Sequence, residues 1–201
     1  MTTSINRADL LRRGVRGGAV LVAAGGVLGS LAESASADPL PGTDLAYARL
    51  LVGAELLASD FYQQAIAASN SSASVMKYLR RAYLNEQEHY QSVAGIISGS
   101  LNTPAASGDF DFSYPAGTFD TQASILKFAA ALENMVLGTY LGAIGGIQTN
   151  TFKTGLAQIA ACEAQHCSYF TSMTGGRTFQ LSFPPALTIQ QASNAFAAYT
   201  A

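Results

Sequence analysis

The sequence predicts an all-α fold: four long helices in a bundle, one long crossover between the second and third, and a short C-terminal tail. Three observations predict it. Both histidines of the 201-residue chain close a Glu-x-x-His frame, Glu86-Gln87-Glu88-His89 and Glu163-Ala164-Gln165-His166. Each frame follows a lone glutamate at nearly the same interval, Glu55 by 31 residues before Glu86 and Glu133 by 30 before Glu163, so one helix pair is repeated. Four stretches with apolar residues at helical spacing alternate with turn-rich connections.

The first residues differ from the rest. Arg7, Arg12, Arg13 and Arg16 make a positive segment, residues 17–31 are a mildly apolar Gly/Ala/Val run, and Ala35-Ser36-Ala37 offers a small-residue cleavage signal before Asp38-Pro39. Residues 1–37 therefore read as a secretory signal peptide. The Arg12-Arg13 pair resembles a twin-arginine signal, which exports folded proteins, although Gly14-Val15-Arg16 departs from the usual residues after the pair. A periplasmic, envelope or extracellular location is expected. The apolar run is shorter than the about 20 residues of a spanning helix, so no membrane span is expected in the mature chain. From Asp38 onward seven Lys/Arg face eleven Asp/Glu with no basic patch, which argues against a nucleic-acid partner. Residues 38–176 form the expected bundle and 177–201 a C-terminal extension.

The first helix is expected over 44–68, after Pro39-Leu40-Pro41-Gly42 and a Thr43 or Asp44 cap. Ser69-Asn70-Ser71-Ser72 is short, which makes the second helix, 73–98, an antiparallel neighbour. Residues 99–120 turn Gly/Pro/Ser/Asp-rich, and the alternating polar and aromatic run Asp109 to Gly117 predicts a long ordered crossover whose aromatics pack across the bundle. The third helix, 121–148, carries Glu133 and also Gly138, Gly142, Gly145 and Gly146. Glycine is unfavourable inside a helix, so these predict close helix approach or a bend. The fourth helix, 151–173, stops at Gly175-Gly176. Extended chain is expected over 178–185 and a short helix over 188–200.

After residue 37 the chain has five glutamates, and Glu55, Glu86, Glu133 and Glu163 all fall into the repeated pattern. Their neighbours at helical spacing are apolar, Leu51 and Val52 beside Glu55 or Ile159 and Phe170 beside Glu163, so the carboxylates point into a core. Buried carboxylates need compensating charge. No Lys or Arg lies three, four or seven residues from any of them; Arg49, Arg80 and Lys127 each precede one by six, on another face. Residues three apart on a helix share a face, so Glu-x-x-His can aim a carboxylate and an imidazole at one ion. Two divalent cations would balance four carboxylates and two neutral imidazoles. The alternatives are a bundle that keeps these residues without metal, or carboxylates of raised pKa that share protons. Cys162 and Cys167 lie about 7.5 Å apart along a helix axis, too far to pair. They are expected as small core residues, or with Cys167 touching the metal or oxidised beside it.

Four helices, a long crossover, one Glu from each of two helices and Glu-x-x-His from each of the others resemble the ferritin-like di-metal carboxylate proteins. The resemblance spans about 44–173. It is strongest to exported ferritin-like domain proteins with a Glu-Gln-x-His helix, an Asp-Phe-rich crossover, and an Asn-x-Val-x-Gly-x-Tyr stretch, here within Glu133 to Tyr140. It implies two iron ions, with manganese as the alternative, about 3.5–4 Å apart. Glu86 and Glu163 would bridge, Glu55 and Glu133 would be terminal, and His89 and His166 would supply one imidazole each. Tyr62 and Tyr140, each seven residues after a lone glutamate, are implied as hydrogen-bond partners of the site, with buried core aromatics as the bland alternative. Two cysteines cannot build the four-cysteine iron domain of rubrerythrins. Three readings remain open: an exported di-metal oxidoreductase acting on oxygen, peroxide or ferrous ion; a non-catalytic, metal-stabilised envelope bundle that binds a partner; and iron detoxification by a large closed homo-oligomer.

Overall fold

The computed structural model describes residues 39–177 and 181–200. The expected signal peptide, 1–37, lies outside them, as do residues 178–180 of the expected extended stretch. Among the described residues the helices are α1 (Gly42–Ala68), α2 (Ala73–Gly99), α3 (Gln122–Gly146), α4 (Asn150–Met173) and α5 (Ile189–Ala197), with a 3-10 turn at Ser107–Asp109. Among the described residues the only strand-like pairing is an isolated antiparallel bridge between Phe112 and Thr200.

α1 packs along α2, α3 along α4, and α1 along α3. Short links make α1/α2 and α3/α4 antiparallel. α1 and α3 are antiparallel as well, because Tyr62 meets Glu133 while Tyr140 meets Glu55: a step forward on α1 is matched by an equal step backward on α3. α2 and α3 then run the same way, and the chain between them must traverse the bundle. That is the physical reason for the crossover at 100–121.

The crossover aromatics pack as the alternating run predicts. Tyr114 and Phe119 close around Phe61 of α1 and Phe128 of α3, while Phe110 and Phe112 meet the edge of Phe196 in α5. The Tyr114 hydroxyl donates to Asp60 Oδ2 at 2.7 Å, which latches the crossover to α1. The core beneath is apolar and fully buried, with Leu51, Leu57, Phe61, Leu79, Ile97, Ile125 and Leu156 at 0 % exposure. Burying each such side chain contributes about 1.5–3 kcal/mol.

Two expectations need correction. Asp44 does not cap α1, which starts at Gly42 after Pro41. Its buried carboxylate reaches across the bundle and accepts from the backbone N–H of Gln148 at 2.8 Å and Thr149 at 2.9 Å, tying the start of α1 to the α3–α4 turn. The glycines of α3 do not admit one common partner. The C-terminal stretch lies on Gly138 and Gly142, where Leu187 N–H donates to Gly138 O at 2.8 Å and a Cβ on Gly142 would run into the Leu187 carbonyl. Gly146 instead makes room for the Tyr47 ring of α1, and Gly145 faces open space. Residues 181–187 form no regular secondary structure, with a bend at 182–183. α3 is long and apolar enough to cross a membrane, but half of its apolar window is buried inside the bundle, where it serves as a core helix.

Candidate metal centre

Each helix of the bundle brings one glutamate to its centre. Glu55 comes from α1, Glu86 from α2, Glu133 from α3 and Glu163 from α4, all at 0 % exposure. The frames in α2 and α4 behave as helical spacing requires. His89 and His166 lie on the same faces as Glu86 and Glu163, and both turn Nδ1 inward. His89 Nδ1 is 2.8 Å from Glu163, 3.2 Å from Glu86 and 3.8 Å from Glu55. His166 Nδ1 is 3.0 Å from Glu86, 3.3 Å from Glu133 and 3.6 Å from Glu163. The structure thus brings together all six residues that the sequence pairs by spacing.

The six fall into two overlapping groups, Glu55, Glu86, His89 and Glu163, and Glu86, Glu133, Glu163 and His166, each with donor atoms within 4.8 Å of one another. Glu86 and Glu163 belong to both. Several donor atoms are buried without a hydrogen-bond partner: Glu55 Oε2, Glu86 Oε1, Glu133 Oε2, both Glu163 oxygens and His166 Nδ1. Leaving such groups unsatisfied costs about 1–3 kcal/mol each, more when charged. Oxygen-rich donors with one imidazole per position suit divalent iron or manganese, and the donor set fits such ions. Each of these six cage ion pairs joins a glutamate to a histidine.

The two tyrosines serve the cage reciprocally. Tyr62 of α1 donates its O–H to Glu133 of α3, and Tyr140 of α3 donates to Glu55 of α1. Both rings are fully buried. Burial, then the neighbouring carboxylates, push both hydroxyls well above their ordinary range, so they remain donors. Seven-residue spacing placed each tyrosine on the stripe of its own helix's glutamate; the antiparallel register hands it to the opposite one.

Without metal, protons do part of the neutralising. Burial, followed by the Glu86 carboxylate, raises Glu55 and Glu133 well above the ordinary glutamate range. Burial acts on Glu163 in the same sense but is outweighed by its contacts to His166 and His89, which bring it down to about 2. Burial would lower both histidines, yet contacts with Cys162 and the carboxylates outweigh it and raise them. Without metal these shifts favour the proton-bearing forms of Glu55, Glu133, His89 and His166.

The outer edges of the imidazoles face the α2–α4 seam. There a pocket of about 400 Å³ is lined by Tyr78, Asn85, His89, Cys162 and His166, with Arg81, Glu88 and Gln165 at its rim. The Asn85 amide is 3.1 Å from His166 Nε2, and Cys162 Sγ is 3.7 Å from the same nitrogen. Tyr78 stacks on Tyr169 across the seam with ring centroids 3.4 Å apart. The cysteine expectation is corrected accordingly. Cys167 packs in the core, where burial pushes its thiol up to about 12, and belongs to neither group of candidate donors. Cys162 is the thiol beside the site, half-buried; burial would raise it, but His166 and His89 lower it to about 7. Asn85 and Cys162 each immediately precede the glutamate of a frame, a shared register that could have flagged both.

No curated protein sequence matches the chain. The family model described as the ferritin-like domain matches residues 43–176, more than half of the chain and all four bundle helices. With a helical bundle, a cage of buried glutamates and histidines, and that match, the chain belongs to the ferritin-like domain family.

Proposed function

We propose that the protein is an exported ferritin-like di-metal protein, with iron as the resident metal and manganese as the alternative, that acts as an oxidoreductase on oxygen, peroxide or ferrous ion. One observation carries the reading: two overlapping four-residue donor groups share Glu86 and Glu163 and include buried oxygens that no hydrogen bond satisfies. Glu55, Glu86, Glu163 and His89 would hold one ion, and Glu86, Glu133, Glu163 and His166 the other. Two such ions, when bound, would supply Lewis-acid and electron-transfer chemistry to a small oxidant.

The chain's own part is to bind, orient and exclude water. Tyr62 and Tyr140 hold Oε1 of Glu133 and of Glu55 respectively, and the other oxygens, Glu133 Oε2 and Glu55 Oε2, are buried without a hydrogen bond. Full burial of the four carboxylates keeps bulk water from competing, and a small reactant would approach along the α2–α4 seam, where His89 at 8 % exposure is the most accessible of the six.

Ferrous loading under nitrogen followed by air or peroxide should give ferric absorption in the near ultraviolet at a rate that the His89→Ala/His166→Ala double variant loses. Equal oxidation rates in the two proteins would remove the oxidation reading. The second reading, a non-catalytic bundle stiffened by metal, draws on the closure of the cage and predicts bound metal without turnover. Export is tested separately: changing Arg12 and Arg13 to Lys should trap precursor inside the cell if the folded-protein route is used, and continued export would rule that route out.

A further inference from the structure

The frames of α2 and α4 are related by the repeat, yet their imidazoles are not held alike. Glu86 corresponds to Glu163 and His89 to His166, so Asn85 of α2 corresponds to Cys162 of α4. Both of these residues line the pocket at the seam. Cys162 Sγ lies 3.7 Å from His166 Nε2. The Asn85 amide reaches only one of the two histidines, standing 3.1 Å from His166 Nε2. His166 is also the deeper of the two rings, with its side chain 3 % exposed against 10 % for His89.

A metal-ligating histidine is oriented by the hydrogen bond that its other ring nitrogen makes. Both rings here present Nδ1 to the cage, so a ligated ring carries its proton on Nε2. At His166 that N–H has an acceptor in place when Asn85 presents its carboxamide oxygen, a rotation that leaves the shape of the side chain unchanged. The same amide terminus is 3.4 Å from Cys162 Sγ, whose S–H can share it. No equivalent carboxamide serves His89, because the register position that would supply one is occupied by Cys162.

We propose that Asn85 is a positioning residue for His166, and that it makes the two ion positions of the cage unequal. The position formed by Glu86, Glu133, Glu163 and His166 has an anchored imidazole and binds the first ion. The position formed by Glu55, Glu86, Glu163 and His89 has an imidazole whose outer edge faces the pocket, and it fills second and exchanges first. The inference rests on the di-metal reading above and adds to it an order of filling and the residue that sets it.

Cobalt(II) titration of the full chain is the test, with two readouts that do not depend on turnover. Calorimetry on the wild type should resolve two unequal steps. Proton magnetic resonance of the cobalt-loaded protein should show two shifted, solvent-exchangeable imidazole N–H signals, one slow to exchange and one fast. Asn85→Ala should weaken the tighter step about 10–100-fold, as loss of an outer-shell partner does, and should make the slow N–H exchange fast. Asn85→Asp, which keeps an acceptor at the same place, should restore the slow signal. Two equal steps in the wild type, or an Asn85→Ala variant with the tighter step and the slow N–H unchanged, would overturn the inference and leave the di-metal reading standing. A variant that weakens both steps equally and melts lower when metal-free would show a structural role and overturn it too. If the wild type takes up no cobalt, the di-metal reading falls and this inference with it.

Discussion

Removing metal at a series of pH values probes the charge balance of the cage. In the metal-free protein, burial and the Glu86 carboxylate raise Glu55 and Glu133, and contacts that outweigh burial raise His89 and His166. All four shifts share a sign. A group whose folded pKa exceeds its unfolded value contributes stability that is complete below the unfolded value, here 4.5 for glutamate and 6.5 for histidine, and that drains as pH rises toward the folded value. As pH rises through those values the unfolded chain releases protons that the folded cage holds more tightly, so each group that stays protonated costs about 1.4 kcal/mol per pH unit. Cys162, lowered from 9.0 to about 7, acts in the opposite sense between those values. It returns at most one group's share, about 1.4 kcal/mol per unit, and less because it is half-exposed. Glu163, held at about 2, contributes stability present above 4.5 and lost only as pH falls toward 2, outside this window. The net expectation is a metal-free protein that loses stability as pH rises above 7.

Two divalent ions would take over the charge that those protons supply. Loading should therefore flatten the pH profile and release protons. Thermal and urea unfolding of loaded and chelated protein at pH 6, 7 and 8 would read the gap, which should widen with pH. Calorimetric loading in buffers of different ionisation enthalpy would count the protons. A gap that does not change between pH 6 and 8, or loading without proton release, would refute the charge-exchange argument.

Tyr62→Phe and Tyr140→Phe should each destabilise the protein by about 1–3 kcal/mol, because each leaves a buried carboxylate oxygen without its donor; urea unfolding would show it, and an unchanged midpoint would contradict the reciprocal hydrogen bonds. Gly142→Ala should displace residues 185–187, since the new Cβ meets the Leu187 carbonyl, and should speed proteolysis there, whereas Gly145→Ala has room and should stabilise α3 by up to about 1 kcal/mol. A thiol reagent should label Cys162 in the folded, metal-free protein at a rate that rises through about pH 7, while Cys167 reacts only on unfolding. Labelling of both at equal rates would contradict their placement.

Helix positions, the crossover and the convergence of six side chains were legible in the sequence, because each rests on short-range rules. Helical periodicity and the turn residues set the long elements to within two residues of their observed ends. A charged residue repeated on apolar stripes, with no basic residue in reach, left Glu55, Glu86, Glu133 and Glu163 few places but a common interior. What lay beyond reach depends on register between helices that are distant in sequence. The pairing of Tyr62 with Glu133 and of Tyr140 with Glu55 follows from the antiparallel run of α1 against α3, a property of neither helix alone. Asp44 could be read locally as a cap, but only packing shows that backbone N–H groups 104 and 105 residues away claim its carboxylate. Choosing between Cys162 and Cys167 required knowing which side of α4 faces the α2 seam. The glycines of α3 announced a close approach without naming what approached, since the fit of Leu187 against Gly142 is made by chain that follows the intervening helix α4. Local sequence sets where a side chain points on its own helix; what it meets there is decided by how the helices dock.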